Sequence, residues 1–96
     1  MNSENIQHQA GRVPGNIFLF TLSTCIWCRK TKQLLQELEI AFDFVELDRL
    51  EGTEREEALA ELEKWNADRS FPTMVIEGAR SIIGFQEAEI REAVGQ

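Results

Sequence analysis

The chain has 96 residues, 43% of them apolar, and its 10 basic and 17 acidic side chains leave a net charge of −7. That length holds one core and no second, and the apolar share belongs to a globular protein rather than a disordered one. The acidic balance repels phosphate backbones and anionic bilayers, so neither nucleic acid nor a membrane is an expected partner, and no apolar run is long enough to span a bilayer.

Residues 1–15 are largely polar, with Gly11, Pro14 and Gly15, and read as a flexible arm ahead of a domain over residues 16–96. Met1 to Ala10 lacks the basic start and apolar run of a secretory signal. The chain has two cysteines, too few for a secreted disulfide framework, so a cytoplasmic protein is expected. His8, the sole histidine, stands isolated in the arm.

Ile17 to Leu22 is a nearly continuous apolar run, short enough for a strand and apolar enough to be buried on both faces. Thr24 is placed to cap a following helix. From Ile26 to about Glu39 the apolar positions Ile26, Trp27, Leu34, Leu35 and Leu38 alternate with Arg29, Lys30, Lys32, Gln33 and Gln36 at helical spacing. Phe42 to Leu47 alternates apolar and acidic residues and reads as a strand. A helix separates it from the first strand, so the two are expected to be parallel with a right-handed crossover. Thr53 and Glu56 have capping-box spacing ahead of an apolar stripe (Ala58, Leu59, Leu62, Trp65), which predicts a second helix ending near Asn66. After a loop over Asp68 to Pro72, Thr73 to Ile76 and Ser81 to Ile83 read as a hairpin. Gln86 to Val94 reads as a third helix that faces inward through Ala88, Ile90 and Val94. The predicted order is β-α-β-α-β-β-α, an α/β chain.

Cys25 and Cys28 lie two residues apart where the first strand passes into the first helix. Two small buried hydrophobes, half of a metal or iron–sulfur site, and a redox pair are the competing readings. In the metal reading Cys25 ligates a cluster shared between two chains, because one chain offers too few ligands. Exchange chemistry has the direct physical case. The thiolate is the nucleophile, and unpaired N–H groups at a helix start favour it, with thiol pKa values there falling to roughly 3.5–7.5. Thr24, Arg29 and Lys30 are expected to help tune the pair. Cys25 should attack and Cys28, nearly one turn on, should resolve. Eleven acidic residues between Glu37 and Glu63, against Arg49 and Arg55 alone, form an acidic stretch that reads first as a solvated face.

From residue 17 to 94 the chain resembles a glutaredoxin. The resemblance is carried by Cys25-Ile26-Trp27-Cys28 after a strand, Phe71-Pro72-Thr73 opening the third strand, and Ile83-Gly84-Phe85 before the last helix. It implies a thioredoxin fold with a four-stranded mixed sheet flanked by three helices, and a cis-proline at Pro72. The main chain of Phe71 would pair with the substrate backbone. In the family, glutathione lies along the cysteine motif and two segments that read here Ser70-Phe71-Pro72 and Gly84-Phe85-Gln86-Glu87. Where many members have lysine this chain has Leu22, and Ile26-Trp27 replaces the usual Pro-Tyr. The Gly84-Phe85 pair is similar to the redoxins that supply ribonucleotide reductase and draw on thioredoxin reductase. Phe85 would crowd the place of the glutathione γ-glutamyl end, and Trp27, half exposed, could stack on a partner. The resemblance implies a dithiol oxidoreductase without a resident cofactor that acts as a monomer on disulfide-containing proteins or small disulfides. Its electrons would come from glutathione, another low-molecular-weight thiol or a thioredoxin-reductase-type enzyme.

Overall fold

The computed structural model describes residues 5–95. Strand β1 (Gln7–Gln9) is followed by β2 (Val13–Thr21), α1 (Ile26–Glu37), β3 (Ile40–Glu46) and a 3-10 turn (Leu47–Arg49). Helix α2 (Gly52–Trp65), the hairpin β4 (Thr73–Ile76) and β5 (Arg80–Ile83), and helix α3 (Glu87–Ala93) complete the chain. The sheet order is β1-β3-β2-β4-β5, with β2 and β3 parallel and every other neighbour antiparallel.

Alternation along the strands builds two cores, because successive side chains point to opposite faces. Ile17 and Leu19 of β2, Phe42 of β3 and Met74 of β4 meet Leu34 and Leu35 of α1 and Ile90 of α3. On the other face Phe20, Val45 and Val75 meet Ala58 and Leu62 of α2, with Trp65 half-buried at the margin. The continuous apolar run of β2 is therefore used on both sides, as a central strand requires. Helix α3 faces inward through Ile90 and, partly, Val94, while Ala88 is exposed.

The sheet has five strands rather than the expected four. The extra strand comes from the segment read as a loose arm: Gln7, His8 and Gln9 pair with Phe44, Asp43 and Phe42. An edge strand with both faces near solvent needs no apolar alternation, so its pattern is silent in the sequence. Its side chains also bind across the pair, Gln7 Nε2 donating to Glu46 Oε1 at 3.2 Å and His8 Nδ1 lying 2.6 Å from Asp43 Oδ1. The part of the arm before Asn5 lies outside the described residues.

Two caps differ from expectation. Cys25, not Thr24, is the N-cap of α1, because the Cys25 N–H donates to Leu22 O at 3.2 Å and draws Ser23 and Thr24 into a turn. Thr53 does not cap α2, which starts one residue earlier at Gly52 behind Glu51, with no side-chain cap bond. Helix α1 also ends earlier, at Glu37. Its buried face is Cys28, Thr31, Leu34 and Leu35, while Ile26 and Trp27 are exposed.

Gly11 ties the connection between β1 and β2 to the sheet. A Cβ there would stand 2.5 Å from Ala41 N and 2.6 Å from the Ile40 carbonyl carbon, both rigid backbone. Gly11→Ala is expected to destabilise the fold by about 1–3 kcal/mol, the usual cost of overpacking, measured by denaturant titration. Unchanged stability would show that this crossing is loose.

Candidate active site

Helix α1 begins at the carboxyl end of β2, and its first turn carries the cysteines. Cys25 is partly exposed; Cys28 is 1% exposed and points under it. The Cys28 N–H donates to Cys25 Sγ at 3.2 Å. One sulfur therefore occupies the position where a capping oxygen usually accepts an orphan helix amide. That contact fixes the direction of Cys25 Sγ.

Cys28 has the opposite environment. Burial, then its hydrogen bond to Cys25, push its thiol from 9.0 up to about 12, against the pull of the Leu22 N–H and the Lys32 ammonium. Cys28 is thus protonated at neutral pH while Cys25 is the accessible sulfur. The cation acting on Cys28 is Lys32, the weakest of these influences. Arg29 and Lys30 are exposed, with Lys30 Nζ 5.8 Å from the Trp27 ring centroid. Thr24 is exposed and caps nothing.

The loop ahead of Cys25 is held from the 3-10 turn. Asp48 accepts the Ser23 N–H at 2.9 Å through Oδ1 and the Ser23 hydroxyl through Oδ2, and these bonds lower its carboxyl pKa. A second loop closes the site from below. The Phe71–Pro72 peptide is cis, as the resemblance implies, and Pro72 O accepts the Gly84 N–H at 2.8 Å. This joins the Ser70-Phe71-Pro72 and Gly84-Phe85-Gln86 segments, and Gly84 takes a φ of +80° that suits a residue without a Cβ. Among the described residues no backbone hydrogen bond uses the Phe71 N–H or C=O, and β4 starts two residues later. The Phe71 side chain packs against the α2-side core.

The remaining expected residues divide. The ring centroids of Trp27 and Phe85 are 6.0 Å apart and inclined by 21°, so Trp27, 53% exposed, stacks within its own chain beside Cys25. The Ser70 hydroxyl is taken by Asn66 Nδ2 at 2.9 Å. Gln86 is the N-cap residue of α3 without a side-chain cap bond, and its Nε2 lies 3.5 Å from Ile83 O.

Three residues escaped the sequence reading. Buried Asn66 donates through Nδ2 to Ser70 O, Ser70 Oγ and Thr73 Oγ1 and accepts the Asp68 N–H, holding the loop before Pro72. Asp48 holds Ser23. Lys32 reaches inward although it sits in a polar run. Asn66 alone had a visible signal, as a polar residue closing a helix before a turn. Among the described residues no group of three or more histidine, cysteine, aspartate or glutamate side chains could hold a metal ion. A shared cluster would need donors from outside this chain.

A thioredoxin-like sheet with a Cys-x-x-Cys pair at the mouth of its first long helix defines a thiol-redox protein. The glutaredoxin family model matches residues 17–80, and the chain belongs to the glutaredoxin family. An uncharacterized glutaredoxin-like 8.6 kDa protein in a rubredoxin operon of Clostridium pasteurianum is 32% identical over 78 residues, covering 81% of this chain and 96% of the relative. The solved glutaredoxin of Methanosarcina mazei Go1 superposes with a TM-score of 0.86 at 47% identity, over 96% of this chain and 89% of the other. Methanosarcina acetivorans methanoredoxin gives 0.84 at 41% identity, over 90% of each chain.

The Cys28 environment has a consequence for stability. In the unfolded chain this thiol ionises near 9.0, before it does in the folded protein near 12. Between those values the folded state binds more protons, so its stability falls as pH rises. The contribution is complete below pH 9 and disappears toward pH 12. Denaturation midpoints of the reduced protein should decline above pH 9, and less steeply in Cys28→Ser. Equal slopes would refute the burial effect.

Proposed function

We propose that the protein is a dithiol–disulfide oxidoreductase in which Cys25 attacks and Cys28 resolves. The observation that carries this is the contrast between the two sulfurs: Cys25 is accessible and accepts an N–H at the helix mouth, whereas Cys28 is buried and protonated. The Cys25 thiolate attacks one sulfur of a substrate disulfide, forming a mixed disulfide and releasing the first thiolate, which takes up a proton. Cys28 then loses its proton and attacks Cys25 Sγ, and the second substrate thiolate leaves. The substrate gains two electrons and the pair is left as a Cys25–Cys28 disulfide.

The Phe71 N–H and C=O beside the cis-proline, unpaired among the described residues, suit an extended polypeptide, which would pair with them as an added strand. Ile26, 58% exposed, and the Trp27–Phe85 stack give the rim an apolar character suited to a protein disulfide. Glutaredoxins use glutathione or similar thiols as reductants. Here Phe85 stacks on Trp27 beside the cysteine pair, and Glu89, with Glu87 paired to Arg91, adds a carboxylate in the first turn of α3. That charge opposes an anionic ligand, so the donor we favour is a reductase or a thiol other than glutathione, acting in the cytoplasm.

In a disulfide-reduction assay, Cys25→Ser is expected to abolish turnover and Cys28→Ser to accumulate a mixed disulfide visible by mass spectrometry. Full activity in Cys25→Ser would sink the assignment. For the donor, oxidised protein should be reduced faster by a thioredoxin-reductase-type enzyme than by glutathione with its reductase, followed by NADPH consumption. Efficient glutathione turnover would reverse that preference.

A further inference from the structure

Lys32 stands one turn after Cys28 on α1, on the same helix face. Its side chain is folded inward and 19% exposed, with Nζ 3.7 Å from Glu46 Oε2 and 3.9 Å from the centroid of the Phe44 ring. An ammonium is strongly hydrated and its stem flexible, so confinement here costs desolvation, offset by the carboxylate and the ring face. Glu46 is itself braced. Its Oε1 accepts from Gln7 Nε2 at 3.2 Å and lies 3.1 Å from Arg49 Nε. The edge strand β1 and the 3-10 turn therefore both hold the carboxylate that holds Lys32.

We propose that Lys32 is a positioning residue for the resolving step: held by Glu46 and Phe44 between α1 and β3, its ammonium stabilises the charge on Cys28 as that sulfur attacks Cys25 or leaves it. The inference rests on the dithiol reading above. In the reduced protein Cys28 is acted on by Cys25, by the Leu22 backbone just past β2 and, most weakly, by Lys32, its i+4 neighbour on α1. Lys32 in turn faces Glu46, with Arg49 and Gln7 behind it.

Once Cys25 is in a mixed disulfide it carries no charge, and its influence in raising the Cys28 pKa is removed. Of the influences that act on Cys28 in the reduced protein, burial then remains on one side, and the Leu22 N–H and Lys32 on the other. With the opposing influence of Cys25 gone, the lysine and the Leu22 backbone are what favours ionisation of Cys28. Cys28 releases its proton to solvent, its thiolate bonds to Cys25 Sγ, the bond from Cys25 to the substrate sulfur breaks, and that thiolate is protonated. In the reverse direction a donor thiolate bonds to Cys25 Sγ and Cys28 leaves as thiolate into the same field.

The test uses the full reduced chain and 5,5′-dithiobis(2-nitrobenzoate), which releases one coloured thiolate when Cys25 attacks and a second when Cys28 resolves. Lys32→Met is expected to slow the second phase about tenfold at neutral pH and move its midpoint up by about one unit, since each pKa unit is tenfold in thiolate fraction below the pKa. Lys32→Gln, which keeps a donor toward Glu46, should give the same shift, and Lys32→Arg should restore the original profile. The first phase should change much less. A second phase in Lys32→Met with unaltered rate and pH profile would overturn the proposal, as would equal slowing in Lys32→Arg. Loss of the first phase in Cys28→Ser would instead overturn the dithiol reading.

Discussion

The first amides of a helix have no partner within it, and in α1 the sulfur of Cys25 accepts one of them, the Cys28 N–H at 3.2 Å. Much of the site depends on that contact. A sulfur at the N-cap must stand at the helix mouth beside solvent, so Cys25 is reachable. A residue three positions later turns back toward the sheet, so Cys28 is covered. The same geometry that completes the helix start therefore makes two chemically identical side chains unequal.

Keeping α1 in that place is work shared across the fold. Leu34 and Leu35 anchor it on the sheet face formed by Ile17, Leu19 and Phe42. Asp48 ties down Ser23 just ahead of the cap, and Asn66 shapes the loop that carries Pro72. The first anchor joins segments 25 residues apart, and the second closes a local loop between α2 and β4. Each leaves a buried or constrained group satisfied, which a loop beside a reactive sulfur needs if it is to hold one geometry.

The acidic stretch takes on structure in the fold. Asp43 meets His8, Glu46 meets Lys32, Gln7 and Arg49, and Asp48 meets Ser23. Glu61 pairs with Lys64 and Glu63 with Arg69. Pairs as exposed as the last two contribute little stability. The Glu46–Lys32 pair differs, since both side chains are largely withdrawn from water.

Much was legible in the residue order alone. The apolar run of β2 and the helical spacing of Leu34 and Leu35 placed a strand and a helix, because burial imposes periods of 2 and 3.6 on residues close in sequence. The CxxC stands at their junction, and Pro72 and Gly84 marked two further segments that one hydrogen bond joins in the fold. Other features are decided by partners distant in the chain. Gln7–Gln9 became a strand through main-chain pairing with β3, which leaves no side-chain pattern when both faces are near solvent. Ser23 and Thr24 were drawn into a turn, so the cap passed to Cys25. Phe85 closed on Trp27, and Lys32 turned inward to a carboxylate on a neighbouring strand. Sequence by itself determined that a cysteine pair stands at a helix start, since that is a local fact. Tertiary structure decided how the two sulfurs differ and what surrounds them, because burial, hydrogen bonds and fixed charge come from residues that only folding brings together.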